Sequence, residues 1–159
     1  MLEALKKELV LRKDEFKDEQ VGTIYFGGGT PSVLDTNEIN DLIITVQSHY
    51  KVAENPEITL EANPDDLSNG KIVQLSQSEV NRLSIGIQSF FEEDLKMMNR
   101  AHNAMEAEAC IAEAVKFFDN ISIDLIYGIP GMSNERWRQN IEKALSFGIP
   151  HISSYALTV

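Results

Sequence analysis

Ile121-Ser122-Ile123-Asp124-Leu125-Ile126-Tyr127, closed by Gly128-Ile129-Pro130-Gly131, is the stretch whose pattern decides the fold. Large apolar residues alternate with smaller or polar ones, which is the period of a strand with one face buried, and the Gly/Pro run ends it. Asp124 falls in mid-strand on the polar face. A carboxylate in such a place needs a reason, because burying an unpaired charge is costly.

The same pattern recurs on both sides. Upstream lie Val21–Phe26 before Gly27-Gly28-Gly29, then Glu57–Ala62 stopped by Asn63-Pro64, then Asn81–Gln88; downstream lies His151–Leu157. Pro56 reads as following a turn, just before the second of these strands. Between the strands the apolar residues take helical spacing. Leu2, Leu5, Leu9 and Phe16 form the first stripe, and Ile39, Leu42, Ile43, Val46 and Tyr50 the second, with Asp35 and Glu38 spaced as a capping box. A short helix fits Leu67 to Leu75 after Asp65-Asp66. Another fits Glu92–Met98, and a longer one Ala104–Phe118. Trp137, Ile141, Ala144 and Leu145 make the last stripe, from a Ser133 cap.

The order is therefore helix then strand, repeated five times. Such alternation means parallel strands joined by right-handed crossovers, in a βα barrel or a doubly wound sheet. The strand faces help to choose. One face carries Thr23 and Tyr25, Thr59 and Glu61, Ser84, Gly86 and Gln88, Ser122, Asp124 and Ile126, and in the fifth strand Ser154 and Ala156. The other carries Ile24 and Phe26, Ile58 and Leu60, Leu83, Ile85 and Ile87, Ile121, Ile123 and Leu125, and finally Ser153, Tyr155 and Leu157. A doubly wound sheet buries both faces, and a packed barrel core is rich in Val, Ile and Leu. A polar inner face suits a wide or incomplete barrel that holds a polar ligand. The fifth strand fits the division least well.

Composition limits the function. The 159 residues hold 14 Lys and Arg against 25 Asp and Glu, a net charge of −11, with 43% hydrophobic residues. That is an ordinary globular balance for one domain, and it argues against nucleic acid, which needs clustered Lys and Arg. No apolar run approaches the ~18 residues of a membrane span, and no secretory leader pattern opens the chain, so the expected location is cytoplasmic. Cys110 is the single cysteine, in a helical run where a buried thiol is expected; it rules out an internal disulfide and a CxxC metal pair. The chain opens in a helix and stops on a strand, and five strands do not close a barrel. The expectation is one partial-barrel domain over 1–159, truncated at both ends, with open sheet edges prone to self-association.

Four strands place a chemically capable residue at or near their carboxyl ends, where ligands bind in α/β folds. Gly27–Gly29, followed by Thr30-Pro31-Ser32, allows a backbone to approach a ligand. It lacks the Lys of a phosphate-binding Walker loop, so a phosphate site, a plain tight turn and another ligand loop all remain open. Glu61 suits a cationic ligand group, or else a salt bridge with Arg82 or a Lys. Asp124 suits a diol, or else a structural network. Gln88 can both donate and accept, and Arg100 can clamp a carboxylate. His49 and His151 read as structural or exposed. His102, two residues after Arg100, is the one histidine with a candidate role. Tyr25 and Trp137 read as packing.

Gly27–Ser32, Glu61-Ala62-Asn63-Pro64, Asn81–Phe90, Ile123–Gly131 and Ser154–Leu157, in this order and spacing, resemble one family. It is the radical S-adenosylmethionine (SAM) family of oxygen-independent coproporphyrinogen III oxidases and their heme-chaperone relatives of HemW type. The resemblance implies an α/β fold, a piece of a (β/α)6 partial TIM barrel with about five parallel strands and the first barrel strand missing. It implies that the backbone at Gly28, Gly29 and Thr30, with Glu61, binds the amino group of SAM. Arg100 would pair with its carboxylate, Gln88 and Asp124 would take the ribose hydroxyls, and Ala156 would touch the adenine. The family's CxxxCxxC loop for a [4Fe-4S] cluster has no counterpart among these residues. The resemblance therefore implies SAM and a [4Fe-4S] cluster as cofactors of the longer protein, but an inactive polypeptide here. Heme or coproporphyrinogen III is the implied ligand, with a heme-acceptor protein as partner of a chaperone. Arg100-Ala101-His102-Asn103 favours the heme-chaperone branch, with the oxidase as the alternative.

Overall fold

The computed structural model describes residues 1–158. Its strands are β1 (Val21–Phe26), β2 (Val52–Ala62), β3 (Arg82–Gln88), β4 (Ile121–Tyr127) and β5 (His151–Ala156). All pair in parallel, and their order across the sheet is their order in the chain. The sheet curls into a half-barrel, as the strand pattern predicts. The helices are α1 (Leu2–Arg12), α2 (Thr36–His49), α3 (Asn69–Ser76), α4 (Glu92–Met97), α5 (Ala104–Ala114) and α6 (Asn134–Ser146).

The core lies between the sheet and helices α2, α3 and α5. Ile58, Leu60, Leu83, Ile85, Ile87, Ile121, Ile123 and Leu125 of the strands meet Ile39, Ile43, Ile72, Leu75 and Ile111 of the helices, and all are essentially buried. This is the apolar face that alternation marks. The local signals that start the helices act as expected. Asp35 and Glu38 form a capping box on α2, and Ser133 caps α6 by accepting from the Arg136 N–H. Asn103 and Glu106 form a second capping box, on α5.

The structure departs from the sequence pattern at several element ends. β2 begins at Val52 rather than Glu57 and runs through Pro56. Pro56 is tolerated because the register between β1 and β2 shifts there, from Val21 opposite Val52 to Thr23 opposite Glu57. α3 starts after Ser68, whose hydroxyl accepts from the Lys71 N–H, not after the two aspartates. α5 ends at Ala114 rather than Phe118. The phase of β5 is also corrected. Asp124 pairs with Ser153 and Ile126 with Tyr155, so Ser153 and Tyr155 share the polar face, and Ser154 and Ala156 lie on the other. With polar residues on both faces, β5 carries no phase of its own; its partner sets it.

Candidate functional site at the strand carboxyl ends

Glu61 stands at the end of β2, and two groups hold its carboxylate. The Tyr25 hydroxyl donates to Oε1 at 2.7 Å, and the Gly28 N–H donates to Oε2 at 3.1 Å. Gly28 and Gly29 have φ of 77° and 63°, which only glycine adopts readily, and this turns the loop after β1 back over the sheet. Gly27 makes room for the Tyr25 ring, since a Cβ there would sit 2.6 Å from Tyr25 Cε1. Tyr25 is thus more than packing: it orients Glu61. Burial and the bond to Glu61 push its phenol pKa up.

Arg100 follows α4, after Asn99, which has a φ of 52°. Its Nη2 donates to Asn63 Oδ1 at 2.8 Å and to the Gly86 carbonyl at 3.2 Å. Arg82, the alternative partner for Glu61, instead lies beside Glu57 and Thr59. Among the described residues, no Lys, Arg or His nitrogen lies within 4.0 Å of the Glu61 carboxylate, and no carboxylate lies within 4.0 Å of the Arg100 guanidinium. Two half-buried opposite charges therefore face the strand ends without an ionic partner.

Gln88 ends β3 in a strained turn. Its φ is 68°, and the Ser89 N–H closes back onto the Ile87 carbonyl at 2.8 Å, a γ-turn around Gln88. The register with β4 shifts here, so Gln88 lies opposite Leu125. A buried polar cluster holds the turn in place. Asn140 of α6 accepts the Phe90 N–H at 2.7 Å, Ser89 donates to Asp94 at 2.7 Å, and Arg136 pairs with Asp94 at 3.1 Å. The pattern gave one clue to Asn140, which lies three residues after Trp137 on the buried stripe.

Asp124 is half-buried on β4. Burial pushes its pKa up first, the charge of Glu61 adds to that, and a hydrogen bond with Ser153 opposes it. Gly29, Thr30, Glu61, Gln88 and Asp124 line one hollow of about 130 Å³. Gln88 also lines the next hollow, of about 440 Å³, with Arg100, Met97, Met98, Ile126 and Leu157. The structure so brings five of the candidates together in one hollow and joins Arg100 to them through Gln88. Gly28 borders this cleft through its bond to Glu61. Ala156 lines neither hollow; it pairs with Tyr127, and its neighbour Leu157 lines the second.

The cleft sets an acidic group on one side and a basic one on the other, with polar side chains between them and Met97, Met98, Ile126 and Leu157 as its apolar part. Glu61 attracts a cation and Arg100 a carboxylate, while Asp124 and Gln88 accept and donate to hydroxyls. The residues present do not fit an iron–sulfur cluster. Cys110 is buried on α5, and burial pushes its thiol up to about 12. Among the described residues, no group of three His, Cys, Asp or Glu side chains can hold a metal ion, and no helix is long and apolar enough to cross a membrane.

The heme chaperone HemW of Lactococcus lactis subsp. lactis (strain IL1403) is 37% identical over 157 residues, which is 98% of this chain and 41% of that protein. HemW of Escherichia coli (strain K12) is 37% identical over 141 residues, 88% of this chain and 37% of that one. The solved structure of coproporphyrinogen III oxidase (HemN) from Escherichia coli, described as a radical SAM enzyme, superposes with a TM-score of 0.87 at 27% identity, covering 99% of this chain and 36% of that chain. The chain thus spans about two fifths of the length of these relatives. The family model of the radical SAM superfamily matches residues 3–144, and the chain belongs to that superfamily.

Proposed function

We propose that the chain is the SAM-binding half-barrel of a longer HemW-type protein that binds heme and delivers it to an acceptor protein. The observation that carries the SAM site is the pair of unpartnered charges, Glu61 and Arg100, at the two sides of one cleft. In this reading Glu61 and the backbone carbonyls at Gly28, Gly29 and Thr30 accept from the ligand's ammonium. Arg100 pairs with its carboxylate, Asp124 and Gln88 bind the ribose, and backbone near Ala156 meets the adenine. SAM supplies the reactive sulfonium; these residues bind and orient it. The cluster that acts with SAM in this superfamily has no ligands among these residues, so the chain alone is proposed to be inactive and to bind SAM weakly.

Amide NMR of the chain titrated with SAM tests the site. Shifts concentrated at Gly29, Glu61, Gln88, Arg100 and Asp124 support it, and a titration that leaves them unmoved overturns it. Submicromolar affinity by calorimetry would overturn the expectation of weak binding.

The resemblance to HemN favours a second reading, an oxygen-independent oxidase that decarboxylates two propionates of coproporphyrinogen III. The longer protein separates them. Heme binding without turnover supports the chaperone; release of carbon dioxide with formation of protoporphyrinogen supports the oxidase.

A further inference from the structure

His102 is fully buried, and the proposed ligand chemistry gives it no role. One ring nitrogen, Nε2, lies 3.1 Å from the Ile87 carbonyl. A carbonyl can only accept, so Nε2 carries a proton. The other nitrogen, Nδ1, is buried, makes no hydrogen bond, and lies 3.6 Å from Oδ1 of Asp65. In the neutral ring, Nδ1 presents a lone pair to that carboxylate, which repels it. With a second proton, the ring has a donor for each neighbour.

The placement of His102 repeats that of Arg100. Arg100 reaches the Gly86 carbonyl and Asn63; His102, two residues on, reaches the Ile87 carbonyl and Asp65, two residues on from Asn63. The loop after α4 and the loop after β2 are therefore joined by two rungs, seated on consecutive carbonyls at the end of β3. The outer rung faces the cleft and the inner one is sealed from water. The Ile87 carbonyl also accepts the Ser89 N–H that closes the strained turn at Gln88, so the inner rung shares an acceptor with that turn and lies one carbonyl on from the one Arg100 holds.

We propose that His102, when both ring nitrogens are protonated between Ile87 and Asp65, is a positioning residue that holds Arg100 and the Gln88 turn in their binding geometry. The inner rung loosens when Nδ1 loses its proton. Few other ionisable groups contend for that role. Cys110 on α5 stays a neutral thiol, first because it is buried and then because Asp65 lies near it. Glu106 on α5 is engaged by the Asn103 N–H, and Asp66 by the Ser32 hydroxyl. Arg100, on the same loop, points to Asn63. The effect on SAM rests on the proposed function; the effect on Arg100 does not.

The test is a pH titration of the 159-residue chain by nitrogen NMR of the His102 ring and the Arg100 guanidinium, without ligand and then with SAM. The Arg100 signal is expected to change with the same midpoint as the His102 ring. Asp65→Asn should abolish that coupling, because an amide can donate to the Nδ1 lone pair of a neutral ring. His102→Gln, whose amide reaches the Ile87 carbonyl, should keep the chain folded with Arg100 insensitive to pH. SAM affinity of the unsubstituted chain should fall about tenfold as the ring deprotonates, the scale of one hydrogen bond to a charged group, and should stay level in Asp65→Asn. An Arg100 signal that ignores the ring, or a coupling that survives in Asp65→Asn, overturns the proposal. If Arg100 follows the ring but SAM does not bind at any pH, the rung stands and the ligand reading fails.

Discussion

The Tyr25 hydroxyl donates to Glu61 Oε1 at 2.7 Å across the boundary between β1 and β2, so one strand orients the charge carried by the next. Burial and this bond together hold the phenol proton in place. Glu61→Gln should therefore bring the Tyr25 titration down toward the ordinary range. The phenolate absorbance difference between the chain and its Tyr25→Phe variant, recorded with and without Glu61→Gln, isolates that one residue. Tyr25→Phe should weaken SAM binding by about fivefold, with little loss of stability, since the tyrosine is 56% exposed.

Gly86 is small because two ligand-facing side chains cross above it. A Cβ would lie 2.8 Å from Gln88 Nε2 and 3.4 Å from both Arg100 Nη2 and Asn63 Oδ1. Gly86→Ala should cost about 1–3 kcal/mol of stability through overpacking. It should weaken SAM binding about tenfold, because the Gln88 amide must swing aside while the Arg100 and Asn63 atoms stay in ordinary contact. Denaturant melts and calorimetry on the same variant read the two effects separately.

Asp124 is held in a place that opposes its charge. Its pKa is raised in the folded chain, so the native state keeps a proton that the unfolded chain releases. That proton favours the native state at low pH, and the benefit is lost as pH rises through the folded-state pKa. Asp124→Asn should then raise the melting temperature by about 2 °C at neutral pH, with the gain vanishing once the pH falls below the carboxylate range. Ribose binding should be lost at the same time. Melting curves across pH check the sign directly.

Asn140 satisfies the Phe90 N–H inside the buried cluster behind the Gln88 turn. Asn140→Ala leaves that N–H without a partner in a dry site, and should cost about 2–4 kcal/mol. Crystal or NMR structures of the variant should show Gln88 relaxed out of its left-handed conformation.

Cys110 should be inert in the folded chain. With its thiol pushed up to about 12, little thiolate exists at pH 8. Alkylation should run about a thousandfold slower than for a free cysteine, and recover in denaturant. Mass spectrometry after timed alkylation measures both rates.

The strands, the polar face and the cleft residues were legible because period-2 alternation and glycine-ended runs are local signals. Asp124 and Glu61 stood out as charges where alternation expects small polar groups. The phase of β5 was not legible, because only the Asp124–Ser153 pairing sets it. The extent of β2 was hidden by Pro56, whose tolerance depends on a register shift against another strand. The role of Tyr25 was missed because nothing in Tyr25 alone points to Glu61, 36 residues away. The same holds for Asn140 and for the inner rung made by His102: their partners come from other loops.

The strand order of this sheet is the order of synthesis. Each strand after β1 emerges beside a neighbour that is already made, and pairs without waiting for a later segment. The half-barrel can therefore be laid down stave by stave as the chain leaves the ribosome, with each connecting helix covering the stave before it. The cleft is the exception. Glu61 comes from β2, Arg100 from the loop after α4 and Asp124 from β4, so the cleft acquires its form only after β4 has joined the sheet.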